Sequence, residues 1–178
     1  FVARLLYKKG RHKEAVAHLM RAFDKAPSLT LHECLKSAGG AKASKAAIAK
    51  LRSMIAASRP TARPPTARDA RSDLLIEILM VEEQYEDAWG VLRERGAGER
   101  LALRLAGKSE KTYAPEVIAL YRQHVESLVG MGGNRNYEEA AKYIARLASL
   151  QRGAAHGAYV DDLRIRHKVK RNFIKLIG

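Results

Sequence analysis

The sequence predicts an all-α chain of about ten helices, packed as stacked antiparallel helical hairpins. Three observations predict it. Apolar residues recur with helical period along nearly all of the 178 residues. Alternating runs rich in β-branched residues, the mark of strands, are nearly absent. One local pattern also recurs: a turn, then one or two carboxylates, then an alanine that opens an apolar stripe.

The elements follow in order. Phe1 to Lys9 reads as the tail of a helix, broken by Gly10-Arg11. Residues 12–26 form the next, with Ala15, Leu19, Ala22 and Phe23 on one face and Pro27 ending it. Ser28 or Thr30 caps a short helix over 29–38, which stops at Gly39-Gly40. Residues 41–57 carry the stripe Ile48, Leu51, Ile55. Residues 58–68 hold three prolines and three arginines and read as an extended basic linker, because proline restricts both itself and the residue before it. Helix resumes near Asp69 and runs to about Glu83. Further helices cover Tyr85 to Arg95, a short stretch ending at Ala106, residues 114–130 with Pro115 in the first turn, 136–151, and 157–177. On 114–130, Val117, Tyr121, His124 and Leu128 share a face. The expected organisation is residues 1–57 as N-terminal hairpins, 58–68 as linker, and 69–178 as C-terminal hairpins closed by a basic capping helix.

The recurring pattern is Gly10-Arg11-His12-Lys13-Glu14-Ala15, Gln84-Tyr85-Glu86-Asp87-Ala88 and Asn136-Tyr137-Glu138-Glu139-Ala140. Carboxylates favour a helix N-terminus, and a small alanine lets the second helix of a hairpin approach the first. This is a TPR-like arrangement. The alanines are spaced by 73 and 52 residues, against ~34 for a strict TPR repeat, so the array is degenerate. Such arrays bury a core by stacking neighbours and leave a face free for a partner.

Asn136 to Ile144 (Asn-Tyr-Glu-Glu-Ala-Ala-Lys-Tyr-Ile), followed by Ala158 to Phe173 (Ala-Tyr-Val-Asp-Asp-Leu-Arg-Ile-Arg-His-Lys-Val-Lys-Arg-Asn-Phe), resembles the helical C-terminal region of bacterial SWIM zinc-finger proteins. The resemblance implies a helical interaction region of a bacterial protein, attached to an upstream zinc module that binds DNA or protein. That module needs three cysteines and a histidine. This chain has one cysteine, Cys34, so none of those ligands is carried over.

Composition narrows the classes further. Hydrophobic residues are 47% and charged residues 29%, which is globular composition. A single cysteine forbids an internal disulfide and suits a reducing, cytoplasmic location. No apolar run approaches the ~18 residues of a membrane span. A first residue of Phe1 rather than Met suggests a fragment of a larger protein. The net charge is +14 and unevenly spread: residues 36–71 carry nine basic groups and one acidic, while 72–90 carry six acidic and none basic. A basic surface attracts nucleic acid, anionic lipid or acidic protein. The acidic block is expected to be met inside the molecule or by a second copy.

Candidate chemistry is sparse. None of the six histidines pairs at i,i+4, and His32 and Cys34 fall on different helix faces, so no metal is expected. Cys34 reads as a small buried core residue. Gly107-Lys108-Ser109 resembles the end of a phosphate loop, but Ala102 stands where that motif wants glycine and no strand precedes it, so it reads as a helix end. The paired carboxylates 82–83, 86–87, 138–139 and 161–162 read as solvated charge at helix ends rather than catalytic dyads. No catalytic residue and no cofactor are expected.

The last helix is the most distinctive feature. Arg164, Lys168, Arg171 and Lys175 are spaced to share one face, with Arg166 and Lys170 flanking the opposite stripe of Ile165, Val169, Phe173 and Leu176. These six cations are the candidate contacts for an anion or nucleic-acid backbone; a solvated cap and an anionic membrane surface are the competing readings. Aromatics are only 6% of the chain, so base stacking or sequence readout is not expected. The leading expectation is a non-catalytic protein–protein interaction scaffold. The alternative is an electrostatic, non-sequence-specific nucleic-acid-binding module.

Overall fold

A computed structural model describes residues 2–57, 69–151 and 153–178. Among them the chain forms ten helices and no strand, as the periodicity predicts. They are α1 (Val2–Lys8), α2 (His12–Lys25), α3 (Leu29–Ala57), α4 (Ala70–Val81), α5 (Tyr85–Arg95), α6 (Glu99–Ser109), α7 (Ala114–Met131), α8 (Asn134–Leu150), α9 (Ala154–Arg166) and α10 (Arg171–Ile177). The chain divides into two compact units, Phe1–Leu101 and Ala102–Gly178. The division falls inside α6 rather than at 58–68. The expected linker lies outside the described residues, and the helices on either side of it belong to one unit because α3 packs on α4.

In the N-terminal unit the main packing follows chain order: α1 on α2, α2 on α3, α3 on α4, α4 on α5. The recurring alanines open these interfaces. Ala15 and Ala88 are fully buried near the starts of α2 and α5. The tight α4–α5 turn places Glu83 at φ 57, and the Gln84 amide donates back to the Leu79 carbonyl at 2.9 Å. The Ser28 hydroxyl accepts from the Leu31 amide at 3.3 Å and so caps α3, while Asp69 accepts from the Arg71 amide at 3.0 Å and caps α4.

α3 is two helices joined at Gly40, where φ is 63° and ψ −158°. Glycine reaches that conformation without a Cβ penalty. Its neighbour Gly39 is needed for a different reason: a Cβ there would stand 2.7 Å from the Ala43 Cβ and 2.9 Å from Val16 Cγ2. The break turns the second half of α3 back, so that Ile48, Leu51 and Ile55 enter the core. The acidic block is answered from within this unit. Glu82 pairs with Lys36 at 3.1 Å and Asp87 with Arg52 at 2.7 Å.

The C-terminal unit is arranged around α8, which packs on α7, α9 and α10. Ala140, Ile144 and Leu147 are its buried stripe, facing Val117, Tyr121 and Val125 of α7 among others. The expected face of 114–130 holds for Val117, Tyr121 and Leu128, but Val125 rather than His124 completes it.

The largest departure from expectation is at the end. The single helix predicted over 157–177 is two, α9 and α10, separated by a turn at 167–170. Phe173 is fully buried, with its ring 5.6 Å from that of Tyr137 and 6.0 Å from that of His167. His167 meets Glu126 at 3.0 Å, and the Lys170 ammonium donates to the Val129 carbonyl. Docking onto α7 and α8 outweighs the local tendency to continue the helix; a seven-residue helix such as α10 does not persist alone.

Candidate functional site

The six C-terminal cations separate into two sets. Arg164 donates to Asp161 at 3.0 Å and to the Ile177 carbonyl at 2.9 Å, closing the open end of α10. Arg166 holds Asp162 at 2.6 Å and Glu126 at 2.8 Å, and these carboxylates keep its guanidinium pKa above the usual value. Lys170 is anchored on Val129 and lies 6.0 Å from the Tyr137 ring centroid. These three are structural contacts. Lys168, Arg171 and Lys175 are exposed and have no ion-pair partner among the described residues. The ridge of four along one helix therefore does not form; Arg164 is turned into the α9–α10 contact, and the helix is interrupted between it and Arg171. The opposite stripe also divides. Phe173 is buried, whereas Ile165 is 73% and Val169 80% exposed.

A second feature lies wholly in the N-terminal unit. A cleft of about 450 Å³ opens between the second half of α3, α4 and α5. Ile55, Ala56, Leu75 and Val91 give it an apolar lining, and Glu86 and Glu94 are among its charged groups. The Arg52–Asp87 pair spans it. Gly90 also lines it, and a Cβ added there would meet nothing within 4 Å. Spacing alone gave no hint of this cleft, because its walls come from segments separated by the 58–68 stretch.

A third feature is a buried polar joint. His32 is fully buried, and its Nε2 shares a hydrogen bond with the Ser44 hydroxyl at 3.0 Å and faces Glu82 Oε1 at 3.5 Å. Burial lowers the His32 pKa, opposed by the nearby Glu82 carboxylate. Ser44 is itself buried. The Gly40 break is what brings residues 32 and 44 together. The three residues hold the two halves of α3 against the end of α4. They do not make a nucleophile and base facing a substrate, since serine and glutamate approach the same imidazole nitrogen.

The other sequence candidates are placed as follows. Cys34 is exposed, not buried: His32 takes the inward face of this turn and Cys34 points away from it. Gly107-Lys108-Ser109 is the last turn of α6, and the Ser109 hydroxyl donates to the Leu105 carbonyl at 2.8 Å. Of the paired carboxylates, Asp161, Asp162, Glu82, Asp87 and Glu139 each hold a cationic partner. No group of three metal-ligating side chains gathers among the described residues. No helix described is long and apolar enough to cross a membrane.

No family model matches this chain, and no curated protein or solved structure matches it. The site must therefore be read from its own geometry.

Proposed function

We propose that the chain is a non-catalytic protein–protein interaction scaffold, built as a degenerate TPR-like stack. The observation that carries this reading is the packing of the N-terminal unit. Its main packing runs from α1 through α5 in chain order, as in helical repeats, with side-chain pairs such as Lys36–Glu82, Lys50–Asp24 and Arg52–Asp87 tying helices that are not adjacent once α3 is taken as two. Stacked helices of this kind leave lateral surface free for a partner, and the cleft between α3, α4 and α5 is open surface in this unit. Its lining is mostly charged, with Arg52, Arg93 and Arg95 among Glu86, Asp87 and Glu94, over a smaller apolar part from Ile55, Ala56, Leu75 and Val91, and so suits a polar partner segment that carries one aliphatic side chain.

The electrostatic nucleic-acid reading is weaker. Half of the six candidate cations are engaged within the C-terminal unit, which leaves fewer phosphate contacts and a shallower salt dependence.

The test uses Gly90→Leu, which fills the cleft from open space. It replaces a helix-interior glycine, so folding is expected to be unharmed or strengthened by up to about 1 kcal/mol. A displayed peptide library is panned against the full chain. Peptides that bind the chain and not the Leu variant support the scaffold reading. Enrichment of none, or peptides indifferent to the variant, would contradict it. Duplex DNA and RNA are titrated in parallel at two salt concentrations; steep salt-dependent binding, lost when Lys168, Arg171 and Lys175 become Gln, would transfer the reading to nucleic acid.

A further inference from the structure

The turn joining α9 to α10 combines two properties that the scaffold reading does not use. Apolar side chains in and beside it are exposed, and three of the nearby cations, Lys168, Arg171 and Lys175, hold no ion pair among the described residues. Ile165 is 73% exposed, Val169 80% and Leu176 47%. Such values belong to side chains that stand clear of the surface. Residues lining a groove are shielded by its walls. At the same end of the unit, Met131 closes α7 and is 63% exposed; Lys170 anchors the turn against this last turn of α7 through the Val129 carbonyl.

The outward pose is held from beneath. Phe173 and His167 take the inward positions, and His167 is fixed by Glu126. On α10, Arg171, Asn172, Lys175 and Leu176 make one exposed face, since their angular positions at 100° per residue are contiguous and Phe173 lies opposite. Lys168 stands beside Val169 in the turn. The carboxylates of this region are all paired, Asp161 with Arg164 and both Asp162 and Glu126 with Arg166, and Lys170 supplies the third charge that balances them. The exposed cations left over are Lys168, Arg171 and Lys175.

We propose that this corner docks the chain on an anionic bilayer surface, with Ile165 and Val169 entering the headgroup layer and Lys168, Arg171 and Lys175 held at its phosphates and carboxylates. Protruding aliphatics flanked by unpaired cations match the two terms of interfacial binding, apolar burial and attraction to acidic lipid. Nucleic acid uses only the second term, and leaves Ile165 and Val169 without a role. An acidic peptide is held by a cation cluster, and that charge contact alone leaves Ile165 and Val169 without a role. Each Lys or Arg beside an acidic leaflet contributes about fivefold in partitioning, and so three contribute about a hundredfold.

The experiment is flotation of the full chain with phosphatidylcholine vesicles, with and without phosphatidylserine. Three variants accompany the wild type. Lys168→Gln/Arg171→Gln/Lys175→Gln removes the local charge. Ile165→Ser/Val169→Ser removes the apolar knobs without altering charge. Lys8→Gln/Lys42→Gln/Lys45→Gln removes the same charge from exposed positions of the N-terminal unit. All alter exposed side chains, and circular dichroism checks that each remains helical. Expected is binding that needs phosphatidylserine, falls about a hundredfold in the first variant and at least about tenfold in the second, and changes little in the third. Three outcomes overturn the proposal: no binding to phosphatidylserine vesicles, equal loss in the first and third variants, or full binding by the Ser variant. Tighter binding to duplex DNA than to vesicles, unaffected by the Ser changes, would assign the corner to nucleic acid. None of these outcomes bears on the Gly90→Leu result, so the two readings fail separately.

Discussion

The two units solve the same problem, burying amphipathic helices, with different connectivity. In Phe1–Leu101 packing passes from each helix to the next, α1 through α5. In Ala102–Gly178 three helices lean on one, α8. A chain of neighbours can lose an end and keep its middle, and it leaves lateral surface uncovered. A hub cannot lose its centre. The charged groups do not follow this division. Both units tie helices together with long-range pairs, Lys36–Glu82 and Arg52–Asp87 in the first and Arg146–Glu110 and Arg166–Glu126 in the second. The C-terminal unit adds short-range pairs, such as Arg164–Asp161 and Arg166–Asp162, around a core that includes packed aromatic residues.

The difference is sharpest at the hub. Leu147 of α8 is fully buried, and Leu147→Ala is expected to cost about 3 kcal/mol through lost transfer energy and a residual cavity. Denaturant unfolding of the full chain, followed by hydrogen exchange, is expected to show α7, α9 and α10 losing protection together while α2 to α4 keep theirs. Loss confined to α8 and one neighbour would break the hub description.

Next is Gly39→Ala in the N-terminal unit. The added Cβ meets Ala43 and Val16 at 2.7 and 2.9 Å, so α2 and the two halves of α3 must separate. A cost of about 2 kcal/mol is expected despite the better helix propensity of alanine. A variant as stable as the wild type would show that the α2–α3 approach is not close.

The smallest effect at neutral pH, but the one that contrasts the units most directly, is their titration. The His32 pKa is lowered by burial. Its unfolded state therefore binds a proton first, and the stability of the N-terminal unit is complete above the ordinary histidine pKa of about 6.5 and falls as pH drops below it. In the C-terminal unit burial raises Tyr121 and raises Tyr159 to about 12. Stability there is complete below the ordinary tyrosine pKa of about 10 and falls as pH rises through about 12. Site-resolved exchange at the two extremes is expected to show α3–α4 weakening in acid and α7–α9 in alkali. Simultaneous loss of both units at one extreme would contradict this.

These contrasts also show what was legible in the amino-acid order. Ala15, Ala88 and Ala140 stood in a repeated local pattern, and each is fully buried; Ala15 and Ala88 lie at helix starts behind first-turn carboxylates, whereas α8 begins earlier, at Asn134, and puts Glu138, Glu139 and Ala140 in its second turn. Gly39-Gly40 announced a break that the structure places at Gly40. Local chemistry decided these features. The break at 167–170 contains neither glycine nor proline. It follows from Phe173, His167 and Lys170 finding partners on α7 and α8, and no window of the sequence contains both sides of those contacts. The cation ridge failed for this reason, and the exposure of Ile165 and Val169 came with it. The burial of His32 and the exposure of Cys34 depend likewise on where Ser44 and Glu82 arrive after the turn at Gly40. The cleft around Gly90 needed α3 to meet α5 across the 58–68 stretch.

The scaffold reading rests on neighbour-to-neighbour packing in the N-terminal unit, and native-state hydrogen exchange of the full chain measures that packing directly. Opening from an end should give graded protection, lowest in α1, whose Val2, Leu5 and Tyr7 are about half exposed, rising through α2 to α3 and α4. The α8 hub should instead show one shared opening energy with its three partners. A single uniform protection level from α1 to α5, lost in one step, would contradict the account, because it would mean that the unit is a closed core and not a stack.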